Sequence, residues 1–125
     1  MTRQKRARYI VFQIITNSQS VEESLIKSSI WKTYQNIYGL YNSSNAGLYF
    51  EEYNEFKKTG IILCSHTSLN HLLTVLAIIT EINGVEVLIH VLQVTGTIDK
   101  AKKFLSINNF NTININQTYR NSDVK

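Results

Sequence analysis

The spacing of apolar residues along the chain first predicts a strand and a helix. Residues 9–16 are rich in β-branched and aromatic side chains, which is typical of a strand with apolar residues on both faces. Ser20 and Glu23 form a capping-box pattern that predicts the start of a helix, and Gly39 predicts its end. Between these two signals, apolar side chains recur at helical spacing, at Ile26, Ile30, Tyr34, Ile37 and Tyr38.

The middle of the chain has the pattern of a hairpin. A polar loop over residues 41–45 leads into a predicted strand over residues 46–53. The charged segment 54–59 then connects this strand to an apolar strand over residues 60–65. We expect the two strands to pair.

A second helix and a fourth strand follow the hairpin. Thr67 or Ser68 is placed to cap the helix, and Asn83 with Gly84 is placed to end it. Residues 85–94 form a strand with alternate apolar residues on one face, and residues 97–105 form a third, short helix. The second helix carries a wide apolar stripe at Leu69, Leu72, Leu73, Leu76, Ile79 and Ile82.

The order βαββαβ followed by α predicts an α+β fold, a ferredoxin-like (RNA-recognition-like) sandwich with an additional C-terminal helix. Each β-α-β crossover is right-handed, so the first two helices pack on one face of the sheet. The first and third strands are central in this arrangement and are apolar on both faces. We therefore expect the third helix, a second copy or another protein to cover the other face.

Length and composition limit the number of domains. The chain has 125 residues, which predicts one folded domain over residues 9–107, with an N-terminal arm over residues 1–8 and a polar tail over residues 108–125. Cys64 is the only cysteine, which excludes an intramolecular disulfide and favours a reducing cytoplasm. No secretory or membrane segment is predicted.

Positive charge is concentrated in two segments. The arm carries four cations before the first acid, Glu22, in a chain of net charge +4, and this favours a phosphate-bearing partner. The third helix carries three lysines after a turn in which Gly96 is expected to have a positive φ and Thr97 to cap the helix. On charge alone, an RNA contact and a solvated helix face remain equal alternatives for these lysines. The seven cations are Arg3, Lys5, Arg6, Arg8, Lys100, Lys102 and Lys103.

The residues that carry chemistry do not form a catalytic or metal-binding pattern. The spacing of Cys64 and the three histidines His66, His71 and His90 is poor for a metal site, and Cys64 has the apolar flanks of a core residue. The adjacent acids Glu51 and Glu52 point to opposite faces of a strand, so they do not serve one reaction centre. The sheet is not expected to stack RNA bases, because the third strand has no aromatic residue.

Four segments in this order resemble the protein component 2 family of archaeal ribonuclease P. The resemblance spans most of the chain, from about residue 5 to about residue 104, and is carried by KRARYIVF at 5–12, GII at 60–62, VTGTI at 94–98 and KKFL at 102–105. It implies a non-catalytic subunit of a ribonucleoprotein that removes the 5′ leader from precursor tRNA, with the RNA and its magnesium performing the hydrolysis. The implied partners are the ribonuclease P RNA, protein component 3 in a heterotetramer, and a second copy of component 2, with precursor tRNA contacted indirectly.

The chain departs from this family in its second helix, which has no lysine or arginine, and at Leu63, where the family often has a basic residue. RNA contacts are therefore expected from the arm, from the third helix and from Lys57 and Lys58. No cofactor bound by the chain itself is expected.

Two other functions remain open on sequence grounds. One is a dimeric ferredoxin-like regulatory domain that binds a small molecule between its subunits, although the basic arm does not favour it. The other is a stand-alone enzyme, which the lack of a catalytic constellation does not favour.

Overall fold

A computed structural model describes residues 6–107 of the protein. The chain forms five strands and three α-helices over this range, with a short 3₁₀ turn at His66–Ser68. The elements in chain order are β1 (Ala7–Thr16), α1 (Glu23–Ser44), β2 (Tyr49–Asn54), β3 (Thr59–Ser65), α2 (Leu69–Ile78), β4 (Glu81–Ile82), β5 (Val85–Thr95) and α3 (Ile98–Ile107). β1 begins two residues before the predicted strand.

The strands form one antiparallel sheet in the order β2-β3-β1-β5-β4. β1 and β3 are central, and this confirms the predicted ferredoxin-like arrangement. A β-bulge interrupts the pairing of β1 with β5, and a second one interrupts the pairing of β2 with β3.

The prediction that the second helix reaches Ile82 is wrong. α2 ends at Ile78 because Ile79 has extended backbone angles, φ −70° and ψ 112°, and Ile82 pairs with Val85 in a small hairpin. Asn83 and Gly84 have φ values of 51° and 82°, the left-handed geometry that a tight hairpin turn requires. The Asn-Gly pair therefore connects two strands rather than ending a helix.

The first helix also differs from its prediction at both ends. Glu22 occupies the N-cap position without a side-chain hydrogen bond, so the predicted capping box at Ser20 is not formed. Gly39 interrupts the helix with φ 88° and ψ 167°, but helical structure resumes and continues to Ser44. The prediction of a loop over residues 41–45 is therefore wrong, because residues 41–44 belong to α1.

The main core lies between the sheet and the helices α1 and α2. Tyr34 from α1 is fully buried, and its hydroxyl lies 3.1 Å from Nδ1 of His71 on α2. The ring of Tyr38 stacks on the same histidine at 3.8 Å, so three rings join the two helices. The strand residues buried in this core include Ile10, Phe12, Ile14, Ile62, Cys64, Val87 and Ile89.

A second, smaller core lies on the opposite face of the sheet. Val11 of β1 and Ile61 of β3 are fully buried there against Ala101 of α3. Of the three predicted alternatives for covering this face, the third helix is the one observed in the described residues, and it covers the centre of the face. Tyr49 at one side and Leu88 at the other remain 60% and 48% exposed.

Cys64 is buried in the main core, with 1% of its surface exposed. Burial raises the pKa of the thiol to about 11, and the positive charge of Arg8 offsets part of this effect. The predicted core position is confirmed.

We expect Cys64 to resist thiol reagents at pH 8 until the protein unfolds. Disulfide-exchange labelling followed by absorbance should be at least about 100-fold slower in buffer than in denaturant, because an inaccessible, protonated thiol does not attack. The folded pKa lies above that of a free thiol, so the free energy of unfolding should fall between about pH 8.5 and pH 11. A Cys64→Val variant should lose this part of the pH dependence. Rapid labelling of the native protein would contradict the buried position.

Candidate nucleic-acid interface

The basic arm and the turn that precedes α3 are far apart in the sequence and meet at one end of the sheet. Arg8 at the start of β1 donates a hydrogen bond from Nη1 to the carbonyl oxygen of Ala7 at 2.9 Å. The same Nη1 lies 4.0 Å from where a side chain at Gly96 would begin, so Arg8 lies beside the turn that precedes α3. The carbonyl of Arg6 accepts a hydrogen bond from the amide of His66 at 2.8 Å, which fixes where the arm leaves the domain. Arg6 is exposed and Arg8 is half-buried.

The turn before α3 is closed by side chains. The hydroxyl of Thr95 donates to the carbonyl of Thr97 at 2.8 Å, and the hydroxyl of Thr97 accepts from the amide of Lys100 at 3.3 Å. The predicted capping role of Thr97 is confirmed. The expected positive φ of Gly96 is wrong, since only Gly39, Gly47 and Gly84 among the glycines have one.

The lysines of α3 are exposed, and one of them lines a depression that a lysine of the hairpin also lines. Lys102 and Lys57 both line a shallow depression of about 310 Å³ between α3 and the β2–β3 hairpin. Glu52 is the acid in its lining, and the other lining residues are Asn54, Thr59, Leu105 and Ser106. Lys100 and Lys103 are exposed on the same helix. The fold therefore assembles a small cationic surface from residues 45 positions apart.

Lys58 has a different environment from its neighbour Lys57. Only 1% of its surface is exposed, and its Nζ atom has no hydrogen-bond partner. Its amide donates to Asn54 at 2.8 Å and its carbonyl accepts from the amide of Ile14 at 2.7 Å, so the backbone holds the residue in the turn with φ 56°. Burial lowers the pKa of its ammonium group. This placement does not present the Lys58 side chain to a phosphate.

Two of the predicted contact residues, Arg3 and Lys5, lie outside the described residues, as does the predicted tail at 108–125. Lys58 is buried. The other predicted contact residues in the described range lie on or near the surface, namely Arg6, Arg8, Lys57, Lys100, Lys102 and Lys103.

The structure reveals an aromatic row on the α3 face that the sequence did not indicate. Tyr9 of β1 pairs with Leu63 of β3, and Leu63 pairs with Tyr49 of β2. These three side chains share the α3 face, because Leu63 lies two residues from Ile61 on β3. Phe12, the other aromatic of β1, is buried on the opposite face. We call Tyr9, Leu63 and Tyr49 the tyrosine row.

Residues 6–107 contain no group of three or more histidine, cysteine, aspartate or glutamate side chains that could hold a metal ion. His71 is engaged by two tyrosines, and His66 lies at the surface beside Arg6. No helix in this range is long and apolar enough to cross a membrane.

Comparisons with known proteins agree with this architecture. The model of the Rpp14/Pop5 family matches residues 8–106. Ribonuclease P protein component 2 of Pyrococcus abyssi is 35% identical over 106 residues, which cover 84% of this chain and 89% of that protein. The component 2 protein of Methanosarcina mazei is 31% identical over 101 residues, which cover 80% of this chain and 84% of that protein.

A chain in the cryo-EM structure of yeast ribonuclease MRP has the same fold. It superposes with a TM-score of 0.63 at 11% sequence identity, over 86% of this chain and 91% of the yeast chain. The match of the family model over nearly the whole described domain shows that the chain belongs to the Rpp14/Pop5 family.

Proposed function

We infer that this chain is a non-catalytic protein subunit of ribonuclease P, the ribonucleoprotein that removes the 5′ leader from precursor tRNA. The match of the family model to residues 8–106 carries this conclusion. The described residues agree with it, because exposed lysines of α3 and of the β2–β3 hairpin line one depression on the surface. The family match gives no support to a small-molecule regulatory domain.

The physical role of the protein is to neutralise phosphate charge where RNA strands approach one another. Exposed cations replace condensed counterions on the RNA, and this favours the compact, active fold. The magnesium ions of the reaction are held by the RNA in this proposal, and the protein lowers the magnesium concentration that the RNA requires. The proposed RNA contacts are Arg3, Lys5, Arg6, Arg8, Lys57, Lys100, Lys102 and Lys103.

The test is to purify the tagged chain from its own cells and to sequence the RNA that accompanies it. Ribonuclease P RNA should be the most enriched species, and it should be recovered from the cytoplasm. Recovery of the protein without this RNA would contradict the proposed function.

The exposed outer side of α1, on both sides of the break at Gly39, is the proposed docking surface for the protein component 3 partner. α1 carries four large apolar side chains that are at least two-fifths exposed, Trp31, Ile37, Leu40 and Tyr41. A concentration of exposed large apolar side chains on one helix is typical of protein interfaces. α1 lies on the opposite side of the sheet from the lysines of α3. Protein and RNA partners would therefore bind different faces, in a heterotetramer built around a component 2 pair.

Replacing Leu40 and Tyr41 with serine should weaken binding of component 3 at least about tenfold, because Leu40 and Tyr41 are 65% and 78% exposed and lose apolar contact area. Isothermal titration calorimetry would measure the affinity, and circular dichroism would check the fold. Leu88→Ser is the matched control, since Leu88 is exposed on the opposite face. Equal affinities for the three proteins would exclude α1 as the docking surface.

A further inference from the structure

We propose that the tyrosine row is a stacking site for unpaired bases of single-stranded RNA. The proposal rests on the function inferred above and identifies one part of the RNA interface. It differs from the expectation drawn from the sequence, in which the lack of an aromatic residue on β3 argues against base stacking.

The row has the geometry of a stacking surface. Tyr49 is 60% exposed, and Tyr9 and Leu63 are half-buried beside it. β2 and β1 flank β3, so the backbones of the two tyrosines are about 10 Å apart, twice the spacing of neighbouring strands. Tyr9 packs against the small core under α3, so the more exposed ring of Tyr49 is the one with room for a base. The flanking strands β1 and β2 supply the two tyrosines, and the apolar side chain of Leu63 on β3 lies between them.

Cations lie on both sides of the row, along the direction of the strands. On one side, Arg6 is exposed one residue before the pairing of Ala7 with Ser65, which lies two residues along β1 from the pairing of Tyr9 with Leu63. On the other side, β3 runs four residues from Leu63 to Thr59, or about 13 Å, to the depression lined by Lys57 and Lys102. Glu52 lines the same depression, so its two lysines and one acid leave net positive charge.

This charge pattern favours single-stranded RNA over a protein as the occupant of the row. Stacking on aromatic side chains combined with cations along the backbone is how proteins bind unpaired nucleotides without sequence preference. The outer face of α1, by contrast, presents large apolar side chains, which suits a protein partner.

The experiment compares the full-length wild-type chain with Tyr49→Ala, Tyr49→Leu and Tyr49→Phe. Fluorescence anisotropy would measure binding of a labelled hexauridylate and of a 12-base-pair RNA duplex. Tyr49→Ala and Tyr49→Leu should weaken hexauridylate binding about tenfold, because both remove the ring. Tyr49→Phe should stay within about twofold of wild type, and duplex binding should change less than twofold in all three.

A second measurement identifies the contact directly. Ultraviolet irradiation of the wild-type complex with hexauridylate should cross-link uridine to Tyr49 or Tyr9, and peptide mass spectrometry would locate the adduct. Unchanged hexauridylate affinity in Tyr49→Ala, an equal loss on duplex RNA, or cross-links confined to other residues would overturn the proposal.

Sedimentation of the same variants tests the protein alternative. A change in oligomeric state in Tyr49→Ala, without a change in hexauridylate binding, would assign the row to a protein contact. If the tyrosine row does not stack bases, the wild-type chain should still co-purify with ribonuclease P RNA. If the proposed function is wrong, the wild-type chain should not co-purify with that RNA.

Discussion

Gly60→Ala is expected to lower the free energy of unfolding by about 3 kcal/mol, through overpacking in the sheet. A β-carbon at Gly60 would lie 2.7 Å from the carbonyl oxygen of Glu52, 2.9 Å from Cδ1 of Tyr53 and 3.0 Å from Cζ of Phe12. The first of these atoms belongs to the backbone of the paired strand and cannot rotate away. The rings of Phe12 and Tyr53 stack on each other at 6.2 Å, so a shift of either one disturbs the core.

Thermal unfolding followed by circular dichroism would measure this effect. For a folded domain of this size, we expect the midpoint to fall by about 10–20 °C. Gly96→Ala is the matched control, because its β-carbon would meet only Arg8 Nη1, at the ordinary contact distance of 4.0 Å, and its φ is not positive. A midpoint for Gly60→Ala within 2 °C of wild type would show that the pairing of β2 with β3 is looser than described.

The second large effect is expected from the double variant Lys57→Gln with Lys102→Gln. If both lysines neutralise phosphates, the variant should bind ribonuclease P RNA about 30-fold more weakly at 0.15 M salt, about fivefold for each contact. The slope of log affinity against log salt concentration should become shallower by nearly two. Filter binding over a series of potassium chloride concentrations would measure both quantities.

Lys58→Gln provides the control for this measurement. It removes the same charge one position away, but its Nζ atom is buried and without a hydrogen-bond partner. We expect its affinity and salt slope to equal those of the wild type. An unchanged slope in the double variant, or an equal change in Lys58→Gln, would contradict the proposed cationic surface.

The parts of the fold that local pattern determines could be predicted from the sequence. β1, β3, β5 and α3 are found within two residues of their predicted ends, because their apolar patterns are continuous and their ends carry turn residues. The end of α2 was predicted wrongly, although Asn83-Gly84 is a strong hairpin signal. The apolar stripe extends through Ile79 and Ile82 without a break, so periodicity alone did not show the change from helix to strand.

The candidate site depends on contacts between distant residues, and the sequence contains these only indirectly. The cationic segments were identified from composition, but their order along the chain did not indicate that Lys57 and Lys102 line one depression or that Arg8 lies beside Gly96. Lys57 and Lys58 are equivalent by sequence and differ in exposure only because of the turn that contains them. Tyr49 lies inside a predicted strand, yet its alignment with Leu63 and Tyr9 requires the strand register, which a single sequence does not specify.

Reconstituted cleavage of precursor tRNA tests the central claim most directly. The ribonuclease P RNA would be assayed with its protein partners, with and without this chain, over a range of magnesium concentrations, and the chain would also be assayed alone. We expect the chain to lower the magnesium concentration needed for half-maximal cleavage and to produce no mature 5′ end without the RNA. Specific cleavage by the purified chain alone, or a magnesium dependence that the chain does not change, would contradict the account.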